Sequence, residues 1–158
     1  MSLQETFSRK LKQTVADGAA RLAKLAEDDV ARKPAPNRWS KKEILGHLID
    51  SACNNHQRFV RAQLPETERA GKLRFPDYEQ EGWARCQDYA HADWQALVQL
   101  WRAYNEHLAR IVTKIPDAKL EVRCWFGEMS DAVTLGFLIE DYLAHMQHHL
   151  RQLDGPRV

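Results

Sequence analysis

Apolar residues recur every three or four positions in four separate stretches of the chain, each long enough for several helical turns. Leu3, Phe7, Leu11, Val15, Gly18, Leu22 and Leu25 form the first stripe and predict a helix from about residue 2 to 27. The second begins at Ser40-Lys41-Lys42-Glu43, a capping box with Ser40 as N-cap, and Trp39 and Ile44 stand where a hydrophobic staple would close over it. That helix runs to about Leu64, before Pro65. Trp94, Leu97, Trp101, Tyr104, Leu108, Ile111 and Ile115 make the third, ending before Pro116. The fourth, capped by Ser130 or Asp131, carries Leu135, Leu138, Tyr142, His145, His149 and Gln152 and ends near Leu153, before Gly155-Pro156.

Four amphipathic helices without a convincing sheet predict an all-α fold, a four-helix bundle with a long middle connection, as a single domain over residues 1–158. Pro34 and Pro36 rule out a helix continuing through the first link, residues 28–37. The middle connection, residues 65–90, has a turn at Phe75-Pro76-Asp77-Tyr78 and a short helix from Glu79 to Arg85 with Trp83. A connection that long either covers a site or merely crosses the surface, and it frees the helix order from simple up-and-down. Leu120 to Phe126 reads as a short extended piece before a turn at Gly127.

Two stripes contain residues that do not belong in a dry seam. His145 and His149 sit on the fourth helix where leucines are expected. Spaced four apart, they share one face about 6 Å apart along the axis, so two imidazoles can reach one ion. The bland alternative is a pair of core histidines bonded to neighbouring side chains. The second helix is odder still. Its inward seam can be read as Ile44, His47, Ser51, Asn54 and Arg58, a wet wall, or as the drier stripe Leu45, Leu48, Ala52 and Phe59, which leaves His47 in water.

With the polar seam inward, His47, His145 and His149 form a three-imidazole ligand set for a divalent ion such as zinc or nickel. Three protein ligands leave a position open for water or substrate, the pattern of a catalytic site. His148 is the rival to His149, but the seam favours His149. Cys53 lies about 240° round the helix from His47 and cannot join. Met146 follows His145, so H-E-x-x-H is absent, and Tyr142 stands where a di-iron E-x-x-H needs a carboxylate. Asp50 and Asp141, each one turn from a ligand, are candidate acceptors for imidazole N–H groups or simply solvated charges.

Composition narrows the classes. The 23 basic and 22 acidic residues give a net charge of +1, which supplies no general attraction for nucleic acid or an anionic membrane. No apolar run is long enough to span a bilayer, and the N-terminus lacks the apolar stretch of a signal peptide. The three cysteines, Cys53, Cys86 and Cys124, are widely spaced and form no C-x-x-C, so free thiols in a reducing compartment, the cytoplasm, are expected.

Trp39-Ser40-x-x-Glu43-Ile44-Leu45-Gly46-His47-Leu48-Ile49-Asp50-Ser51, then Arg58-Phe59, then Tyr78-Glu79 with Trp83, then Leu143-x-His145-x-x-x-His149, resembles the DinB/YfiT-like family of metal-dependent enzymes over nearly the whole chain. The resemblance implies a four-helix bundle with a metal on His47, His145 and His149, the same three residues that the seam selects. It also implies a homodimer, and either transfer of a low-molecular-weight thiol or hydrolysis. The expected function is therefore a metal-dependent thiol S-transferase acting on a small-molecule thiol and an electrophilic substrate, with Asn54, Arg58 and Tyr78 as substrate-binding residues. Hydrolysis by metal-activated water is the first alternative, ranked lower because no carboxylate base is plain in the seam. A non-catalytic metal-binding or dimerising module is the second.

Overall fold

The computed structural model describes residues 1–64 and 73–155. Most of the charged run Glu66 to Arg74 lies outside them. Four long helices build the core: α1 (Leu3–Leu22), α3 (Lys41–Arg61), α5 (Trp94–Val112) and α6 (Leu135–Leu153). Two short helices, α2 (Glu27–Ala31) and α4 (Gln80–Cys86), lie in the connections. Among the long helices α1 sits diagonally to α3 and α5 to α6: α1 and α3 each pack against both α5 and α6. Leu11, Val15, Leu22, Leu45, Leu48, Phe59, Trp101, Leu108, Ile139, Met146 and Leu153 fill the space between them, almost wholly removed from water.

The capping box at Ser40 and Glu43 forms in both directions and starts α3 where expected. Helix α1 stops at Leu22, short of the expected residue 27, because α5 takes its last carbonyls. Trp94 Nε1 donates to Leu22 O at 2.8 Å and Gln95 Nε2 to Ala23 O at 3.1 Å. The chain then turns into α2, so the first link is not merely irregular. Buried Lys42 ties it down, ion-paired to Glu27 and donating to Ala92 O at 2.8 Å.

A small sheet was not expected. Strands β1 (Leu73–Phe75), β2 (Arg123–Phe126) and β3 (Val133–Thr134) lie in the order β1-β2-β3, the first pair parallel and the second antiparallel. Leu73 faces Cys124 and Phe75 faces Phe126 across the first pair. This sheet also moves the start of the fourth long helix. Pairing holds Val133 and Thr134 extended, so Thr134 caps α6, not Ser130 or Asp131, its hydroxyl accepting from Phe137 N at 3.1 Å. The first helical amides, Leu135 N and Gly136 N, donate to Val122 O and Leu120 O, both at 2.9 Å.

On α3 the wet and dry stripes are not alternatives. Every residue from Leu45 to Ala52 is buried, so the helix is enclosed on both sides. Tyr89, in a 3-10 turn (Tyr89–His91), closes directly over Gly46, where any Cβ would overlap its ring. Cys53, Cys86 and Cys124 are all free thiols, and no helix among the described residues is long and apolar enough to cross a membrane.

Candidate metal centre

Helix α3 sends His47 inward, and α6 sends His145 and His149 across to meet it. His47 is 1 % exposed, and the other two are half-buried. Nε2 of His145 lies 3.2 Å from Nε2 of His47 and 3.2 Å from Nε2 of His149. The rings meet edge to face, with centroids 4.6–5.2 Å apart. Trp39, just before the α3 cap, covers the far side of His47 at 5.3 Å.

Hydrogen bonding alone does not satisfy this cluster. A neutral imidazole nitrogen has either one proton or one lone pair, yet His145 Nε2 faces two other Nε2 atoms at bonding distance. Metal–nitrogen bonds of 2.0–2.1 Å at tetrahedral angles place neighbouring nitrogens about 3.3–3.4 Å apart, close to the spacing seen. Protonation is also disfavoured. Burial, then the neighbouring imidazoles, lowers the pKa of both His47 and His145 to about 4. Burial lowers His149 as well, against a bond from Gln152 that works the other way. Neutral imidazoles with lone pairs converging on a point are what a divalent cation requires. The three residues can therefore hold a metal ion, and the chemistry of the donor set fits it.

The outer contacts depart from expectation. Gln152, not a carboxylate, orients His149: its Oε1 lies 2.8 Å from His149 Nδ1, while its Nε2 lies 3.2 Å from His148 Nε2. That leaves His149 Nε2 unprotonated toward the cluster and His148, the rival ligand, exposed outside it. Gln152 stands three residues after His149, a spacing that could have been read. Asp50 does not serve His47. It is buried, accepts from Tyr89 OH at 2.7 Å and from Gln87 Nε2 at 2.8 Å, and burial raises its pKa. Asp141 hydrogen-bonds no ligand and faces a cleft instead.

That cleft, about 470 Å³, opens beside His145. Arg58 and Tyr78 line it as expected; Asn54 does not. Asn54 turns its amide back to Asp50 O at 2.9 Å, and Asn55 takes the inward place, because the seam runs His47, Ser51, Asn55, Arg58. The Arg58 guanidinium stacks on Phe126 with Cζ 4.4 Å from the ring centroid, and its Nη1 donates to Asn55 Oδ1 at 3.4 Å. Burial, then Asp50, pushes Tyr78 up to about 12 against the pull of Arg58, so it keeps its proton at neutral pH. Burial likewise raises the Cys124 thiol to about 11, which removes it as a nucleophile. Sequence reasoning missed the cleft walls given by Asp77 and Phe126, which reach the site through the sheet, and by Phe137, about two turns before His145 on α6.

The fold is similar to that of YfiT from Bacillus subtilis, described as a probable metal-dependent hydrolase with an unusual four-helix bundle topology. The match has a TM-score of 0.78 at 17 % identity, covering 93 % of this chain and 81 % of that one. It is also similar to the DinB-like protein YjoA from the same organism, with a TM-score of 0.58 at 14 % identity over 99 % of this chain and 95 % of that one. No curated protein is significantly similar in sequence. The family model of the DinB superfamily matches residues 10–153, and the chain belongs to that superfamily.

Proposed function

We propose that this protein is a metal-dependent enzyme that transfers a low-molecular-weight thiol to an electrophile bound in the cleft beside His145. The observation that carries this reading is the convergence of three imidazole nitrogens, on His47, His145 and His149, next to an open, partly polar cleft. His47, His145 and His149 would hold a divalent ion, zinc or nickel, which would supply a lowered pKa to a bound thiol or water. The protein's own groups then have separate tasks. Arg58 binds an anionic group of the substrate. Tyr78, protonated, offers a hydroxyl donor in the same cleft. The apolar side chains of Phe126, Met129 and Phe137 exclude water from the bound electrophile. No side-chain nucleophile is required, in keeping with the suppressed Cys124 thiol.

Hydrolysis is the second reading, and one observation favours it. Asp141 lines the same cleft one turn before His145, within electrostatic reach of that imidazole, and supplies the carboxylate base that the sequence did not reveal. YfiT's description as a probable metal-dependent hydrolase points the same way. A homodimer in solution belongs to the same proposal and is checked by light scattering.

The test is a panel of small thiols with a model electrophile, beside esters, amides and lactams, using metal-loaded protein, chelated protein and His145→Ala. Metal-dependent conjugation lost in both controls is the expected result. Conjugation with no thiol on the panel overturns the first reading. Ester or amide turnover falling about 10²–10⁴-fold in Asp141→Asn establishes the second.

A further inference from the structure

We propose that the cleft beside His145 recognises the head group of an α-amino acid, Arg58 taking the carboxylate, Asp77 and Asp141 the ammonium, and the Met129–Phe137 wall the side chain. This deepens the proposed function, since it rests on the cleft being where substrate sits.

Three charged side chains from three parts of the chain line this one cleft: Arg58 from α3, Asp77 from the segment after β1, and Asp141 from α6. Among the described residues none of them forms an ion pair, with each other or elsewhere. Arg58 is half-buried, held flat by Phe126 and tethered at one nitrogen by Asn55, which leaves most of its donor fork unused. Both carboxylates are exposed and act on Arg58 through space. The three charges thus face one cleft and influence one another without pairing.

The balance of signs selects among ligands. A plain carboxylate would satisfy Arg58 but bring a third anion beside two aspartates. A plain amine would satisfy the aspartates and leave the guanidinium without an anion. A molecule carrying both groups on one carbon satisfies all three. The same cleft has an apolar part, where Phe137 is 52 % and Met129 48 % exposed, two of the few large apolar side chains so exposed among the described residues. The pairing of a zwitterionic wall with an apolar wall matches an amino acid whose side chain is aliphatic or sulfur-containing. Gly127 fits the arrangement: its φ is +45°, and the Asp77 carboxylate lies where a side chain at 127 would be.

Three ligands without a free thiol separate the possibilities: S-methyl-L-cysteine, 3-(methylthio)propionate and 2-(methylthio)ethylamine. Binding is measured by calorimetry on metal-loaded protein and again after dialysis against a chelator, so that chelation of the ion is not mistaken for binding to the cleft. The zwitterion is expected to bind at least tenfold more tightly than either half in both states. Arg58→Gln should reduce it to the level of the amine. Asp77→Asn/Asp141→Asn, at two exposed positions outside the core, should reduce it to the level of the carboxylate. Equal binding of all three ligands, or a preference untouched by the double aspartate variant, overturns the proposal. Zwitterion preference without thiol conjugation leaves this inference standing and removes thiol transfer; conjugation without the preference does the reverse.

Discussion

At the scale of single residues, the site depends on which nitrogen of each imidazole is free. Gln152 makes that choice for His149. Gln152 is exposed, so Gln152→Ala should leave folding intact and weaken metal binding by about 10–100-fold, read from competition with a chromogenic chelator. His47 and His145 impose a pH dependence whose sign follows from their depressed pKa values. Their pKa values are about 4 when folded, against about 6.5 in an unfolded chain. The unfolded state therefore takes up protons first as pH falls. Metal-free protein should keep its full stability above about pH 6.5 and lose it progressively down to about pH 4, visible as a falling urea midpoint. His47→Gln and His145→Gln should flatten that slope. The meeting of the three histidines was legible in part: His145 and His149 stand in an apolar helical seam, whereas His47 lies on a stripe that the pattern alone could equally turn to water. Asn54 and Asn55 differ by a single step of helical phase, which periodicity does not resolve on a helix buried on both sides.

At the scale of elements, start signals with strong local chemistry could be read and those set by partners could not. Ser40 and Glu43 cap α3 from within four residues of chain. The end of α1 is decided by Trp94 and Gln95, and the start of α6 by strand pairing at Val133 and Thr134. Both are contacts across long sequence distances, invisible to local pattern. The close approach of Tyr89 to α3 is another. Gly46→Ala would force that ring outward, together with the bond from Tyr89 to Asp50. We expect a loss of about 1–3 kcal/mol by denaturant unfolding, the usual result of overpacking, with His47 displaced enough to weaken metal binding.

At the scale of the whole molecule, the diagonal placement of α1 against α3 and of α5 against α6 makes α3 and α6 neighbours, and the site lies in their shared seam. An ion bound there joins two helices, one ending at Arg61 and the other beginning at Leu135, that are distant in the chain. Free zinc or nickel at about a hundred times its dissociation constant should raise the unfolding free energy by about 2.7 kcal/mol, with the matching rise in melting temperature. His145→Ala should abolish that rise while the metal-free melting temperature stays near its original value; a collapsed fold would instead mark the ion as structural. The bundle as a class was legible because four stripes of helical period leave few other architectures. The cleft was not, since its far wall comes from a sheet too short to show in a pattern.

His47 and His145 are 98 residues apart in the chain. At a synthesis rate of about 5–20 residues per second, the first imidazole leaves the ribosome roughly 5–20 seconds before its companions exist. During that interval it is a lone, weak donor that cannot retain an ion against cellular competitors. Loading of an ion on the three histidines would therefore be a late event, possible only once α6 has docked on α3. A nascent chain stalled before His145 would emerge with its first ligand in place and nothing to hold.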